Sequence, residues 1–315
     1  MATGARWNTD LPAPFEELWE DYERSLKRLK RSPNTVQMNR SGFERLILYV
    51  VSEHGLTCVE DIVRDHVHKW VEYMIDGLVD EQSMSIYVRT ARPFFSWWAD
   101  EADVVSPFHK AKLPEEPKRP VPLLTVDDLD LMIADCAVVK GTSGWVRLVN
   151  LRDEALIRGF FDLGVRRGEM HGMTVTDWNR KTDLVHVRES KTYERTLVVS
   201  PSTGEAWARY LRERSKLTLG HEHMWIGRKL NRMTPSGFNQ AIARRSVSAL
   251  GVRVKPHKLR HTSAHHFLLD GGQEGDMVRK FGWNGRTMVD RYGAVAADER
   301  SQNAQRRLAT GDKLA

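Results

Sequence analysis

Pro256-His257-Lys258-Leu259-Arg260-His261 is the stretch on which the reading of this chain turns. Positions i, i+3 and i+4 share one face of a helix, so His257, Arg260 and His261 project together. Pro256 suits a first helical position, where its missing amide costs nothing. That end of a helix carries the positive end of the macrodipole and attracts anions. Taken alone, the run is as well explained by a solvated basic helix. Three further pieces shift the balance. Leu163-Gly164-Val165-Arg166-Arg167-Gly168-Glu169 lies upstream; Gly164 marks a turn and Arg166 opens a short helix. Glu169 falls three residues on, on the same face, where a carboxylate can hold the guanidinium. Trp283 and Tyr292 lie downstream, nine positions apart, and Tyr292 stands thirty-two positions after Arg260.

These residue types suit chemistry at a phosphodiester. Charge builds on the non-bridging oxygens as a nucleophile attacks phosphorus, and fixed cations must balance it. Arginine does this best: its planar fork grips two oxygens and stays charged. Tyr292 is a candidate nucleophile, although a phenol with a pKa near 10 needs cationic neighbours or a base. Lys191, in Glu189-Ser190-Lys191-Thr192-Tyr193-Glu194-Arg195, can protonate a leaving oxygen if its pKa falls in context. Trp283 can offer its indole N–H to a phosphate oxygen. Each piece also has a plain explanation. Arg166 with Glu169 is a surface ion pair, Lys191 a solvated loop tip, Trp283 a core residue. Their order along one basic chain favours breaking and rejoining DNA.

Composition sets the outer bounds. The 315 residues suffice for two domains, and 41% hydrophobic with 29% charged residues describes a folded, soluble chain. A net charge of +6 favours a polyanionic partner without proving one. Cys58 and Cys136 lie far apart, so neither a disulfide framework nor a zinc ribbon is expected. No apolar run reaches about 18 residues, so no membrane span is expected, and the N-terminus lacks a signal-peptide core. A cytoplasmic protein with access to DNA follows as the expectation.

The predicted fold is mainly α with a small β-sheet. Helices are expected from 15 to about 105, carried by apolar stripes such as Phe15, Trp19, Tyr22 and Leu26, or Phe43, Leu46, Ile47 and Val50. Asn34 and Thr35 are read as start signals for the second helix, and Pro93 is expected to kink the fourth. The boundaries are drawn at 1–106 for a four-helix unit, 107–124 for a proline-rich basic linker, 125–293 for an α+β unit and 294–315 for a polar tail. Thr125-Val126-Asp127-Asp128 reads as a capping box, with helix continuing to about 162. Leu184–Val187 and Thr196–Val199 alternate like strands, and five more helices are expected over about 202–217, 234–250, 257–270, 275–281 and 286–292. Arg89, Arg92, Lys110, Lys112, Arg244 and Arg245 are the candidate DNA-binding cations outside the central set.

The joint pattern resembles the tyrosine recombinases, also called phage integrases. Members carry an arginine in a G-[LV]-R-x-x-E box, a lysine on the following hairpin, an H-x-L-R-H box, a histidine or tryptophan, and a tyrosine nine positions later. The matches here are Arg166 with Glu169, Lys191, His257 with Arg260, Trp283 and Tyr292; His261 completes its box in a supporting role. Trp283 replaces the commoner histidine and removes a titratable group. The resemblance covers about 125 to 295, and residues 1–106 fit the family's SAM-like core-binding domain more loosely.

That resemblance implies a site-specific DNA recombinase working through a 3′-phosphotyrosine intermediate, with no metal, ATP or other cofactor. It implies two domains closing on double-stranded DNA core sites, a homo-tetramer on DNA, tail exchange between protomers, and in some members an accessory bending or directionality factor. With only about 14 residues before the first helix, a simple two-domain member is expected. The rivals are a type IB topoisomerase-like activity and a non-catalytic DNA-binding regulator. A metal-dependent nuclease is disfavoured because His221-Glu222-His223 lacks the H-E-x-x-H register.

Overall fold

Four helices follow one another from Ala13 to Ala102: α1 (Ala13–Arg28), α2 (Pro33–His54), α3 (Arg64–Asp76) and α4 (Glu81–Ala102). This computed structural model describes residues 11–112, 123–138, 141–142, 144–188, 193–285, 288–289, 301–302 and 305–309. Two compact units divide between Arg119 and Pro120. In the first, Phe15, Phe43, Phe94 and Phe95 are wholly buried with Trp19 and Trp70 beside them. Each such side chain contributes about 1.5–3 kcal/mol through burial. Leu29 caps the C-terminus of α1 and is exposed.

One local expectation shifts. The second helix starts at Pro33, because the Ser32 hydroxyl accepts the Thr35 amide at 3.2 Å. Asn34 and Thr35 therefore lie inside the first turn. Helix α4 runs unbroken through Pro93. At Gly42 a Cβ would lie 2.5 Å from the Ala91 backbone nitrogen, so α2 and α4 approach as only glycine allows.

The second unit opens with α5 (Val126–Ala134), whose capping box is present in both directions. Thr125 Oγ1 accepts the Asp128 amide at 3.0 Å, and Asp128 Oδ2 accepts the Thr125 amide at 2.9 Å. The helical pattern expected to reach 162 is two helices, α5 and α6 (Gly144–Leu163). Then come α7 (Arg167–Gly172), β1 (Trp178–Asn179), β2 (Leu184–Val187) and β3 (Arg195–Val198). The strands form one antiparallel sheet in the order β1-β2-β3, pairing Val185 with Leu197 and Val187 with Arg195. The two-residue β1 is too short to announce itself by alternation. Helices α8 (Pro201–Arg214), α9 (Pro235–Leu250), α10 (Pro256–Leu269) and α11 (Glu274–Phe281) complete the unit. The helix expected over 286–292 falls almost wholly outside the described residues.

The core of this unit lies between α6, α8, α9 and the sheet. Trp207 donates its indole N–H to Ala155 O at 3.0 Å, and Tyr210 stacks on Trp225 at 5.5 Å. A smaller apolar cluster joins α10 to α11 through Ala264, Leu268, Met277, Phe281 and Trp283. That cluster carries the cations described next. No described helix is long and apolar enough to cross a membrane.

Candidate active site

Gly164 ends α6 in a left-handed turn with φ of +59°, and a Cβ there would meet the Phe281 ring at 2.1 Å. Only glycine satisfies both demands. The turn delivers Arg166 to the start of α7, where its own amide donates to Glu169 Oε2 at 2.7 Å. Glu169 thus caps the helix from its third position while its Oε1 accepts Arg166 Nη1 at 2.9 Å. Arg166 keeps 27% of its side chain exposed, whereas that of Glu169 retains only 1%. The expected surface ion pair is therefore half-sunken, with its carboxylate in the interior.

A second arginine, Arg195, explains how a carboxylate survives there. It grips both Glu169 oxygens, Nη1 to Oε1 at 3.0 Å and Nη2 to Oε2 at 2.9 Å. Burial alone would raise the Glu169 pKa. The Arg195 fork and charge outweigh it, helped by the Arg166 amide and charge, and bring the carboxyl down to about 2. Sequence reasoning passed over Arg195. The signal was present: Arg195 shares the inward phase of its strand with Leu197 and Val199, and a charge at that phase demands a buried partner.

Arg260 projects from α10 into the same place and is 2% exposed. Its Nη1 donates to Gly164 O, and its Nη2 donates to Phe281 O at 2.6 Å. Arg166 Nη2 donates to the next carbonyl, Gly282 O, at 2.7 Å. The two guanidiniums therefore stand on neighbouring peptide groups although they come from helices far apart in sequence. Burial, and then the positive charge of Arg166, push Arg260 down to about 9. It stays charged at neutral pH.

Trp283 is 4% exposed, stacks on Phe281 at 5.2 Å, and lies 5.9 Å from the Arg260 guanidinium. It is at once a packing residue and a neighbour of the cation. His257 is exposed and His261 is buried, with ring centroids 4.2 Å apart at the start of α10. Arg166, Glu169, Arg260 and Trp283 are thus brought together, with the two histidines on α10 leading into them. Lys191 and Tyr292 lie outside the described residues.

The outlying cations separate. Arg89, Arg92, Lys110 and Lys112 are exposed on the first unit. Arg244 is half exposed and donates to Asp153 Oδ2 at 2.7 Å. Arg245 corrects its expectation as a DNA contact. It is 8% exposed, and its three guanidine nitrogens are bonded to Asp153, Asp135 and Asn150. Together with Arg152 it neutralises the fully buried Asp153. Its work is internal.

The model of the phage integrase family matches residues 124–299. A tyrosine recombinase XerC of Oceanobacillus iheyensis is 26% identical over 280 residues, covering 85% of this chain and 87% of that protein. The Tn1549 transposon integrase, solved with a circular intermediate DNA, superposes with a TM-score of 0.70 at 14% identity, over 92% of this chain and 99% of that one. The XerH site-specific recombinase bound to a palindromic difH substrate gives 0.68 at 12% identity, over 94% and 98%. Likeness at such identities shows the fold. A family match over more than half of the chain shows more: this chain belongs to the phage integrase family. Its activity is that of the class, site-specific DNA recombination by a tyrosine recombinase.

Proposed function

We propose that this chain cleaves and rejoins duplex DNA at core recombination sites through a covalent ester on Tyr292. Arg166 and Arg260 hold the two non-bridging oxygens of the scissile phosphate, with His257 and Trp283 as further donors. The Tyr292 oxygen forms a bond to phosphorus and gives up its proton to water. The P–O bond to the 5′-carbon side breaks, and Lys191 protonates the departing oxygen. The 5′-hydroxyl of a partner strand then reverses these steps on the phosphotyrosine. The ester conserves the bond energy, so the reading needs neither ATP nor a metal.

One observation carries it: two buried or half-buried guanidiniums, drawn from α7 and α10, stand on the successive carbonyls of Phe281 and Gly282. Arg245, by contrast, is spent on the buried carboxylate of Asp153. Among the described residues Arg260 hydrogen-bonds carbonyls alone, and it shares its cluster with Arg166, Arg195 and the single carboxylate of Glu169, which supports an anion as a further partner. The finer features follow from family resemblance: residues 1–106 as the core-binding unit, a tetramer on DNA, and exchange of residues 294–315 between protomers. Exposed Arg89, Arg92, Lys110, Lys112 and Arg244 are proposed as backbone contacts.

The test is covalent capture on duplexes carrying a nick beside the scissile phosphate, where the cleaved fragment diffuses away and traps the ester. Wild-type protein should form an adduct mapped to Tyr292, and Tyr292→Phe should bind DNA but form none. Adduct formation by that variant, or its mapping to another residue, would refute the assignment.

A further inference from the structure

The C-terminus of α11 is where the cations of the site are seated. A helix leaves its last carbonyls without internal donors, and they form the negative end of its dipole. Here those carbonyls are met in turn. Val278 O accepts the Trp283 amide at 3.1 Å and the Tyr193 hydroxyl at 2.8 Å. Arg279 O accepts the Gly282 amide at 3.3 Å. Lys280 O accepts Arg195 Nε at 2.9 Å, Phe281 O accepts Arg260, and Gly282 O accepts Arg166. Three guanidiniums therefore stand on three successive carbonyls.

Two of these are the phosphate-binding pair. The third, Arg195, has no part in the chemistry so far. Its side chain is 5% exposed, and all three nitrogens are bonded inward, so it cannot reach DNA. Its partners are telling. Through Nη1 and Nη2 it immobilises Glu169, which holds Arg166. Through Nε it fixes the Lys280 carbonyl, one peptide before the carbonyl that holds Arg260. One planar group is bonded to both supports at once. The fork geometry is essential: three N–H bonds in one plane set the separation of Glu169 from the end of α11.

We propose that Arg195 is a positioning residue for strand cleavage. It sets the spacing of Arg166 and Arg260, and so the fit of the pair to the two non-bridging oxygens, without touching DNA. The proposal rests on reading those two arginines as the phosphate grip.

The experiment uses the full chain with Arg195→Lys, which keeps the charge but not the fork. Adduct formation on nicked duplex is followed at saturating DNA, alongside the dissociation constant and the thermal midpoint. Two substrates are compared: the natural phosphodiester, and a methylphosphonate in which a methyl replaces one non-bridging oxygen. The second carries one charge less, so it depends less on an exact pair of cations. Arg195→Lys should bind DNA with little loss yet cleave the diester about tenfold to a hundredfold more slowly, the range typical of outer supports of a reactive site. Its deficit should narrow clearly on the methylphosphonate. An equal deficit on both substrates, or wild-type cleavage, would overturn the proposal.

Arg260→Ala is run beside it. If its deficit fails to narrow as well, the phosphate-grip reading itself falls. If it narrows while that of Arg195→Lys does not, only the role of Arg195 is lost. Should Arg195→Lys prove unfolded, the double variant Arg195→Met with Glu169→Gln removes the buried pair together. It should fold and still show the diester-selective deficit; uniform slowing or normal cleavage would sink the idea.

Discussion

Glu169→Gln is the most demanding test of the electrostatics. The substitution preserves shape and removes one negative charge from between Arg166 and Arg195. The Glu169 carboxyl lies at about 2 in the folded chain against an ordinary 4.5. That interval corresponds to about 3 kcal/mol of stability at 1.36 kcal/mol per pKa unit. Stranding a buried guanidinium costs a comparable amount, about 3–5 kcal/mol. For a unit of this size each kcal/mol moves the melting midpoint by about 2–4 °C, so the variant should melt about 6–12 °C below wild type at pH 7.

The sign of the pH dependence follows from the depressed pKa. Folded Glu169 releases its proton more readily than unfolded Glu169, so its contribution is complete above pH 4.5. It is lost as pH falls towards 2. Wild type and variant should therefore differ fully from pH 8 down to about 5 and converge below that. Calorimetry or circular dichroism melts across that range would decide it. A variant within 1 °C of wild type at pH 7, or a gap that widens in acid, would refute the reasoning.

Other expectations concern packing and charge. Gly164→Ala must move Phe281 and occupy a strained φ, so it should cost about 2–4 kcal/mol and alter Trp283 fluorescence; an unchanged melt would contradict the close approach. Arg245→Met should destabilise the fold by about 1–3 kcal/mol by removing one of the three guanidiniums on buried Asp153, while DNA affinity per folded molecule stays near wild type on a binding titration. Arg244→Ala should instead weaken binding with modest loss of stability, and it should flatten the dependence of log affinity on log salt by about one unit. An unchanged salt slope would remove Arg244 from the backbone contacts. Tyr193→Phe, which deletes one hydrogen bond to α11, should cost only about 1 kcal/mol in a chemical denaturation series.

Much of this molecule was readable before any coordinate. The helical pattern placed α8 to α11 to within a few residues, because a 3.6-residue period survives without knowledge of partners. The Thr125 capping box was visible for the same reason: its bonds span three residues. Boundaries failed where one local signal was preferred to another. Ser32 followed by Pro33 was a better start than Asn34 and Thr35, and a break between α5 and α6 was hidden inside a continuing pattern. The family and its chemistry came from order and spacing of a few residues across the second unit, and the family match over 124–299 agrees with them.

Which cation does what was another matter. Arg244 and Arg245 are neighbours in sequence and look alike, yet one is half exposed and the other closes a buried carboxylate network. Arg195 looked like one more charge beside a loop, yet it braces the interior of the site. Sequence by itself determined the helical character, the sheet, the basic charge and the family. Tertiary structure alone decided which arginines are spent inside and which face outward. The reason is physical: burial depends on groups that meet only after folding, such as Arg166 and the Gly282 carbonyl, 116 residues apart. Local periodicity carries no record of such meetings.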